Sequence, residues 1–219
     1  MIASKITDLI GNTPILKLKM KNNDWNVFLK LEKFNPGGSM KDRMALNMIE
    51  EAEKSGQLKP GGTIIESSSG NTAIGLAIAS AIKGYHFIAV VDHHASKEKI
   101  DMIKAYGAEI VVVGDGYKAN EVAVIEREKT AKRMSEEMEN AFFPNQAYNF
   151  NNRAAYIDTL ADELINDITT INSFYAAIGT GGSACGTAMG LKKRNSNTKI
   201  NVIEPDGSIL FGGEGKPYY

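Results

Sequence analysis

Short apolar runs alternate along the chain with segments whose apolar residues recur every three or four positions, and small residues sit at most junctions. Residues 25–31, WNVFLKL, are rich in strand formers and run into the turn-like Asn35-Pro36-Gly37-Gly38. A helix is predicted directly afterwards. Ser39 with Asp42 three residues on fits an N-cap pattern, Met44, Met48, Ile49 and Ala52 recur on one face, and Gly56 suits the stop. The same logic predicts a strand over 63–66, the loop Ser67-Ser68-Ser69-Gly70-Asn71, a helix over 72–83 and Gly84. Two further units follow: strand 87–91 with helix 96–106, and strand Glu109–Val113 leading through Gly114-Asp115-Gly116 into a charged helix over 120–139. After an irregular stretch at 142–152 come a helix around 153–166, a strand over 174–178, the loop Gly179-Thr180-Gly181-Gly182, a helix over 183–193 and the strand Lys199–Ile203. Strands alternating with helices predict the α/β class, a parallel sheet covered by helices on both faces. No fixed-period repeat or low-complexity tract interrupts the pattern, and 140–152 is the expected domain seam.

Composition narrows the function classes. With 43% hydrophobic and 23% charged residues in 219, collagenous, disordered and coiled-coil readings lose support and a packed core is expected. Basic and acidic residues nearly balance, 25 against 26, so no net cationic field favours nucleic acid or an anionic membrane. A single cysteine excludes an intrachain disulfide framework. No apolar stretch is long enough for a signal peptide or a bilayer span, so a soluble cytoplasmic protein is expected.

Lys41 is out of place. Behind a Ser39 cap it falls in the first helical turn, where the positive end of the helix dipole favours the neutral amine, the form that a nucleophilic Schiff-base lysine requires. The competing reading makes Lys41 and Arg43 solvated charges around Asp42 on an exposed turn. Two small-residue loops bear on the choice, because a strand-to-helix loop presents backbone N–H groups at a helix amino end. Gly179-Thr180-Gly181-Gly182-Ser183 suits a phosphate dianion, and Ser68-Ser69-Gly70-Asn71-Thr72, with more side-chain donors, suits a carboxylate. Either loop is equally explained as a tight turn without ligand. Neither has the P-loop order of glycines, lysine and hydroxyl. Gly179-x-Gly181-x-x-Ala184 with Glu204 about 20 residues on fits a relaxed dinucleotide fingerprint, so a dinucleotide-dependent oxidoreductase is a competing reading.

Taken in order, residues 35–43 (NPGGSMKDR), 66–72 (ESSSGNT) and 179–183 (GTGGS) resemble the cysteine synthase and cystathionine β-synthase family, fold-type II pyridoxal-phosphate enzymes. Residues 8–14 (DLIGNTP), 103–109 (IKAYGAE) and 202–208 (VIEPDGS) match in register, so the resemblance runs end to end. It implies a homodimer with a smaller domain over 40–145 and a larger cofactor-binding domain from 1–39 with 146–219. Lys41 matches the lysine that carries pyridoxal 5'-phosphate and moves the substrate Cα proton. Asn71 matches the asparagine on the cofactor's 3′ oxygen, while Gly179, Thr180, Gly181, Gly182 and Ser183 match the phosphate cradle, with serine in place of the usual final threonine. Ser68, Ser69 and Thr72, joined by Gln146, match the residues that hold the substrate α-carboxylate. The implied reaction is β-replacement on an O-activated L-serine, O-acetylserine or O-phosphoserine, by way of an aminoacrylate, with a sulfur nucleophile first.

Some features depart from that pattern. Val91-Asp92-His93-His94 stands where the family usually has methionine-proline, and Met40 where it has valine; both resemble the branch making amino-carboxyethyl amino acids, so an amine nucleophile is the alternative, as is a binding homologue without turnover. Family members run further past the Glu204-Pro205 strand, so the resemblance predicts a second domain that is incomplete within residues 1–219. Adjacent His93 and His94 point apart and have no supporting cluster, which predicts a solvated loop and no metal. Cys185 reads as a small buried helix residue, and the charges over 126–139 as a solvated helix face.

Overall fold

The structure is a computed structural model and describes residues 2–21, 25–114, 123–208 and 210–213. The predicted Asp115-Gly116 turn, the start of the charged helix at 120–122 and the end at 214–219 lie outside them.

The elements in chain order are β1 (Ile15–Leu18), β2 (Val27–Lys30), α1 (Lys41–Lys54), β3 (Thr63–Ser67), α2 (Asn71–Lys83), β4 (His86–Asp92), α3 (Lys97–Ala105) and β5 (Glu109–Val113). They continue with α4 (Val124–Glu137), β6 (Ala141–Phe142), α5 (Phe150–Ile157), α6 (Leu160–Asp167), β7 (Ser173–Ala177), α7 (Gly182–Arg194) and β8 (Lys199–Ile203). Short 3₁₀ turns cover Ile6–Leu9 and Glu32–Phe34.

A parallel sheet ordered β5-β4-β3-β6 forms the centre. Six of the seven residues of β4 are buried, as a strand covered on both faces requires. Alternate residues serve opposite sides. Ile64, Ala89 and Val91 pack with Ala45, Ile49 and Leu76 of α1 and α2, whereas Ile65, Ile88 and Val90 pack with Ala131 of α4. The opposite face of α1 places Met44 and Met48 in another core with Tyr156, Leu160, Leu164 and Leu191, so α1 stands between two cores. β7 and β8 pair in parallel, but β1 and β2 form an antiparallel pair, which the uniform parallel expectation did not include.

Two boundaries differ instructively. The helix predicted around 153–166 is two helices, broken at Asp158 and Thr159, and it starts earlier because the Asn149 side chain caps the Asn151 N–H. The N-cap of α1 is Met40 rather than Ser39, although the Ser39 hydroxyl still accepts from the Lys41 N–H at 3.2 Å. Asp42 does not reach back to a Ser39 cap. Its carboxylate accepts from the Gly37 N–H and closes the preceding turn.

Candidate functional site

In the order β5-β4-β3-β6 the chain moves outward from β3 to β5 and then returns to the other side of β3. The carboxyl ends of β3 and β6 therefore flank a topological switch point, where open α/β sheets form a ligand crevice. The loop after β3 carries Ser68, Ser69, Asn71 and Thr72, and the segment after β6 carries Gln146. The two meet directly: the Thr72 hydroxyl donates to Gln146 Oε1 at 2.6 Å. Ser68 and Thr72 are buried, whereas Asn71, the first residue of α2, is exposed. Ser68 Oγ accepts from the Gly70 N–H at 3.3 Å, which bends the loop toward the amino end of α2.

Lys41 opens α1, and α2 lies hard against it because Gly75 has no side chain. A Cβ there would stand 3.1 Å from the Lys41 carbonyl oxygen and 3.2 Å from the Asp42 Cα. Burial lowers the Lys41 pKa, which favours the neutral amine. Its neighbours refute the exposed-turn reading: Asp42 is 1% and Arg43 5% exposed. Burial, with the nearby Glu32 charge, pushes the Asp42 carboxyl up to about 6. The turn before Lys41 is held by Tyr156, whose hydroxyl donates to the Met40 carbonyl at 3.0 Å.

Arg43 belongs to a buried ionic group that sequence reasoning missed. Its guanidinium donates to Glu32 through Nε at 2.7 Å and Nη2 at 2.8 Å, and to Glu163 through Nη1 at 2.6 Å and Nη2 at 2.8 Å. Lys30 pairs with Glu163 at 2.7 Å, and the Thr13 hydroxyl donates to Glu32. Those hydrogen bonds hold the Glu163 carboxyl down at about 2 and lower Glu32 as well, in both cases against burial. The 8–14 motif thereby gains a role. Gly11, at φ 88°, donates its N–H to Asn35, and a Cβ on it would meet Arg43 Nη1 at 2.9 Å. Only the 120-residue separation of Arg43 and Glu163 hid the pairing, since both charges are visible in the chain.

The loop Gly179-Thr180-Gly181-Gly182-Ser183 joins β7 to α7, with Gly181 left-handed at φ 84° as the N-cap. Nothing stands within 4 Å of a Cβ on Gly179, whereas one on Gly182 would overlap the Asn152 side chain. Asn152, 2% exposed and also missed, ties this loop to the switch point: its Nδ2 donates to the Gln146 carbonyl at 2.7 Å and to Thr180 Oγ1 at 3.2 Å. Gly182, Gly186 and Gly190 all lie against α5 or its neighbours, and Cβ atoms on the latter two would stand 2.3 Å from the Arg153 carbonyl and 2.2 Å from the Ile157 carbonyl. That spacing of four was a legible signal for a close helix crossing. Between α5 and the amino end of α7 opens a cleft of about 270 Å³ lined by Gln146, Asn152, Arg153, Thr180, Gly181 and Cys185, among others.

Cys185 is exposed in that cleft and not buried, because the packed face of α7 falls on Gly182, Ala184, Gly186, Thr187, Gly190 and Leu191 instead. The competing dinucleotide reading rested on this same β7–α7 loop, and it leaves unused the Lys41 turn and the switch-point contacts just described. Glu66, buried at the end of β3, accepts from the Ser67 N–H at 2.9 Å and the Gln146 N–H at 3.2 Å, and burial pushes its carboxyl up to about 8. On the far side, Arg127 of the charged helix reaches the buried Asp92 at 3.4 Å, so that helix is not purely solvated. The His93 and His94 rings do not point apart as expected but lie 4.1 Å between centroids with planes tilted by 39°, and among the described residues no group of three His, Cys, Asp or Glu is placed to hold a metal. Among the described residues no helix is long and apolar enough to cross a membrane.

Comparison with known proteins gives three kinds of likeness. Residues 6–217 match the family described as pyridoxal-phosphate dependent enzyme. A putative cysteine synthase of Sinorhizobium fredii is 46% identical over 220 residues, covering 100% of this chain and 65% of its own length. The chain thus spans a little under two thirds of that relative. Among solved structures, a hydrogen sulfide-producing enzyme from Fusobacterium nucleatum superposes with TM-score 0.92 at 37% identity, over 100% of this chain and 71% of the other. The O-acetylserine dependent cystathionine beta-synthase of Helicobacter pylori gives 0.90 at 36% identity, with the same coverage.

Proposed function

The chain belongs to the pyridoxal-phosphate dependent enzyme family, and from that premise we propose that it catalyses β-replacement on an O-activated L-serine, with a sulfur nucleophile first. The observation that carries the proposal is the switch-point crevice, where Thr72 bonds Gln146 and Asn152 links Gln146 to Thr180. Residues there fit the cofactor. Gly179 leaves open space, Gly181 turns left-handed, and Asn152 Oδ1 and Arg153 Nε are buried without partners beside them. When bound, pyridoxal phosphate supplies the electron sink that acidifies the substrate Cα–H.

In this reading Lys41 carries the cofactor and exchanges the Cα proton through Nζ. Its burial favours the neutral amine that such proton transfer needs. Ser68, Ser69 and Thr72, at the positive end of α2, hold the substrate carboxylate with Gln146. Asn71 would bond the cofactor's exocyclic 3′ oxygen, and Gly179, Thr180, Gly181, Gly182 and Ser183 would hold its phosphate. The division into 40–145 against 1–39 with 146–219 belongs to the same proposal, supported by the two cores that meet at α1. The test mixes purified protein and cofactor with O-acetylserine and then with sulfide, homocysteine or an amino-acid amine. Acetate release with cysteine, a thioether or a diaminopropionate derivative identifies the nucleophile. A Lys41→Ala variant that keeps the visible band, and whose band still shifts with amino acid, sinks the assignment.

A further inference from the structure

Asn152, in the first turn of α5, is 2% exposed and joins two parts of the site through one amide. Its Nδ2 lies 2.7 Å from the Gln146 carbonyl and 3.2 Å from Thr180 Oγ1. A main-chain carbonyl only accepts, so the amide nitrogen is the atom that faces it, and both of its N–H groups are then used. Thr180 Oγ1 therefore accepts as well, which leaves its own proton for an anion in loop 179–183. Gln146 is gripped at three polar groups: its N–H donates to Glu66 at 3.2 Å, its carbonyl accepts from Asn152, and its Oε1 accepts from the Thr72 hydroxyl at 2.6 Å. The two N–H groups on its Nε2 remain for a carboxylate. A Cβ on Gly182 would overlap Asn152 Oδ1, so the amide is wedged against the first residue of α7.

We infer that Asn152 is a positioning residue that couples the two anion sites, so that a phosphate in loop 179–183 raises the affinity of loop 68–72 and Gln146 for a carboxylate. An anion that takes the Thr180 proton makes Thr180 Oγ1 a better acceptor and tightens its bond from Asn152. The amide that holds the Gln146 carbonyl is thereby fixed more firmly, and Gln146 is presented to the carboxylate. Coupling of this kind is reciprocal, and one hydrogen bond gives a factor of about 3 to 10. Asn152 itself touches neither ligand in this scheme. The inference rests on the two sites of the β-replacement reading and adds the residue that makes them act together.

The experiment loads the parent and Asn152→Ala to saturation with pyridoxal 5'-phosphate or with pyridoxal. Each is titrated with L-alanine and with L-alaninol while the visible band is followed. L-Alaninol has the amine without the carboxylate, so the ratio of the two affinities reads the carboxylate contact. In the parent this ratio should be about 3- to 10-fold higher with the phosphorylated cofactor, and in Asn152→Ala the two ratios should coincide. A residue that merely supports the fold would lower both ratios and keep the gap. No gap in the parent, or an undiminished gap in Asn152→Ala, overturns the coupling. Should Asn152→Ala not fold, Thr180→Val cuts the same chain of hydrogen bonds at its other end and must close the gap. Acetate release from O-acetylserine by the parent tests the β-replacement reading separately: a gap without release keeps the coupling and removes that reading, and release without a gap does the reverse.

Discussion

Replacing Arg43 with methionine removes the one cation shared by Glu32 and Glu163 and leaves two carboxylates inside the fold. The pairs are short, 2.7 Å to Glu32 and 2.6 Å to Glu163, and the side-chain exposures are only 4%, 8% and 13%. Removing one partner of such a buried pair costs about 3–5 kcal/mol. The Glu163 shift, to which Lys30 and the Asn12 N–H contribute beside Arg43, gives an upper scale: a carboxyl held at about 2 rather than 4.5 contributes up to about 3 kcal/mol. The sign follows from the depressed pKa. This stabilisation is present above pH 4.5 and is lost as pH falls through about 2. Thermal unfolding of Arg43→Met at pH 7 should therefore fall by about 6–20 °C for a domain of this size. At pH 3 the gap to the parent should narrow by roughly 2 kcal/mol, because protonation removes part of what the parent gained. A drop under about 3 °C, or the same gap at both pH values, would refute the reasoning. Apolar replacement of Arg43, Glu32 and Glu163 together should recover only part of the loss, since Lys30, 11% exposed, then loses its Glu163 partner.

Three further outcomes follow from single contacts. Gly186→Ala places a methyl 2.3 Å from the Arg153 carbonyl and should cost about 3 kcal/mol by urea unfolding, while Gly179→Ala, with open space around it, stays near the parent. Glu66→Gln should flatten the pH dependence of stability between about 4.5 and 8: a carboxyl raised to about 8 makes the parent lose stability as pH rises through that window, and an unchanged slope would count against it. Tyr156→Phe removes one of the donors to the Met40 carbonyl, leaving the Arg43 N–H at 3.3 Å, and should cost about 0.5–1.5 kcal/mol; a melting curve that superposes on the parent's would show that hydrogen bond to be inert.

Much of the local structure was legible because its signals are local. β5 and β8 occupy the predicted residues, Gly84 ends α2 left-handed at φ 76°, and Ser96 caps α3 through the Lys99 N–H. The β1 strand was missed because its four residues, ILKL, are too few for an alternation to stand out. The break at Asp158 and Thr159 carries neither glycine nor proline, so nothing in the chain marked it. Cys185 was misplaced for a different reason: the packed face of α7 is mostly small residues, Gly182, Ala184, Gly186 and Gly190, with Leu191 the one large apolar side chain, so its hydrophobic periodicity is weak.

Taken alone, the sequence determined the α/β class and most element boundaries, and it singled out Lys41 and the two small-residue loops as candidates for chemistry, with Gln146 added by the family resemblance. Each depends on neighbours a few positions apart, where propensity, capping and turn chemistry act. Only the tertiary structure decided which of those segments meet. Thr72 touches Gln146 across 74 residues and Arg43 touches Glu163 across 120, while Asn152 joins two loops as a single amide. Such contacts arise when the sheet order brings strand ends together and the helices pack. Burial then sets whether a charge is solvated or paired, as it did for Asp42 and Arg43, and no window of sequence contains that information.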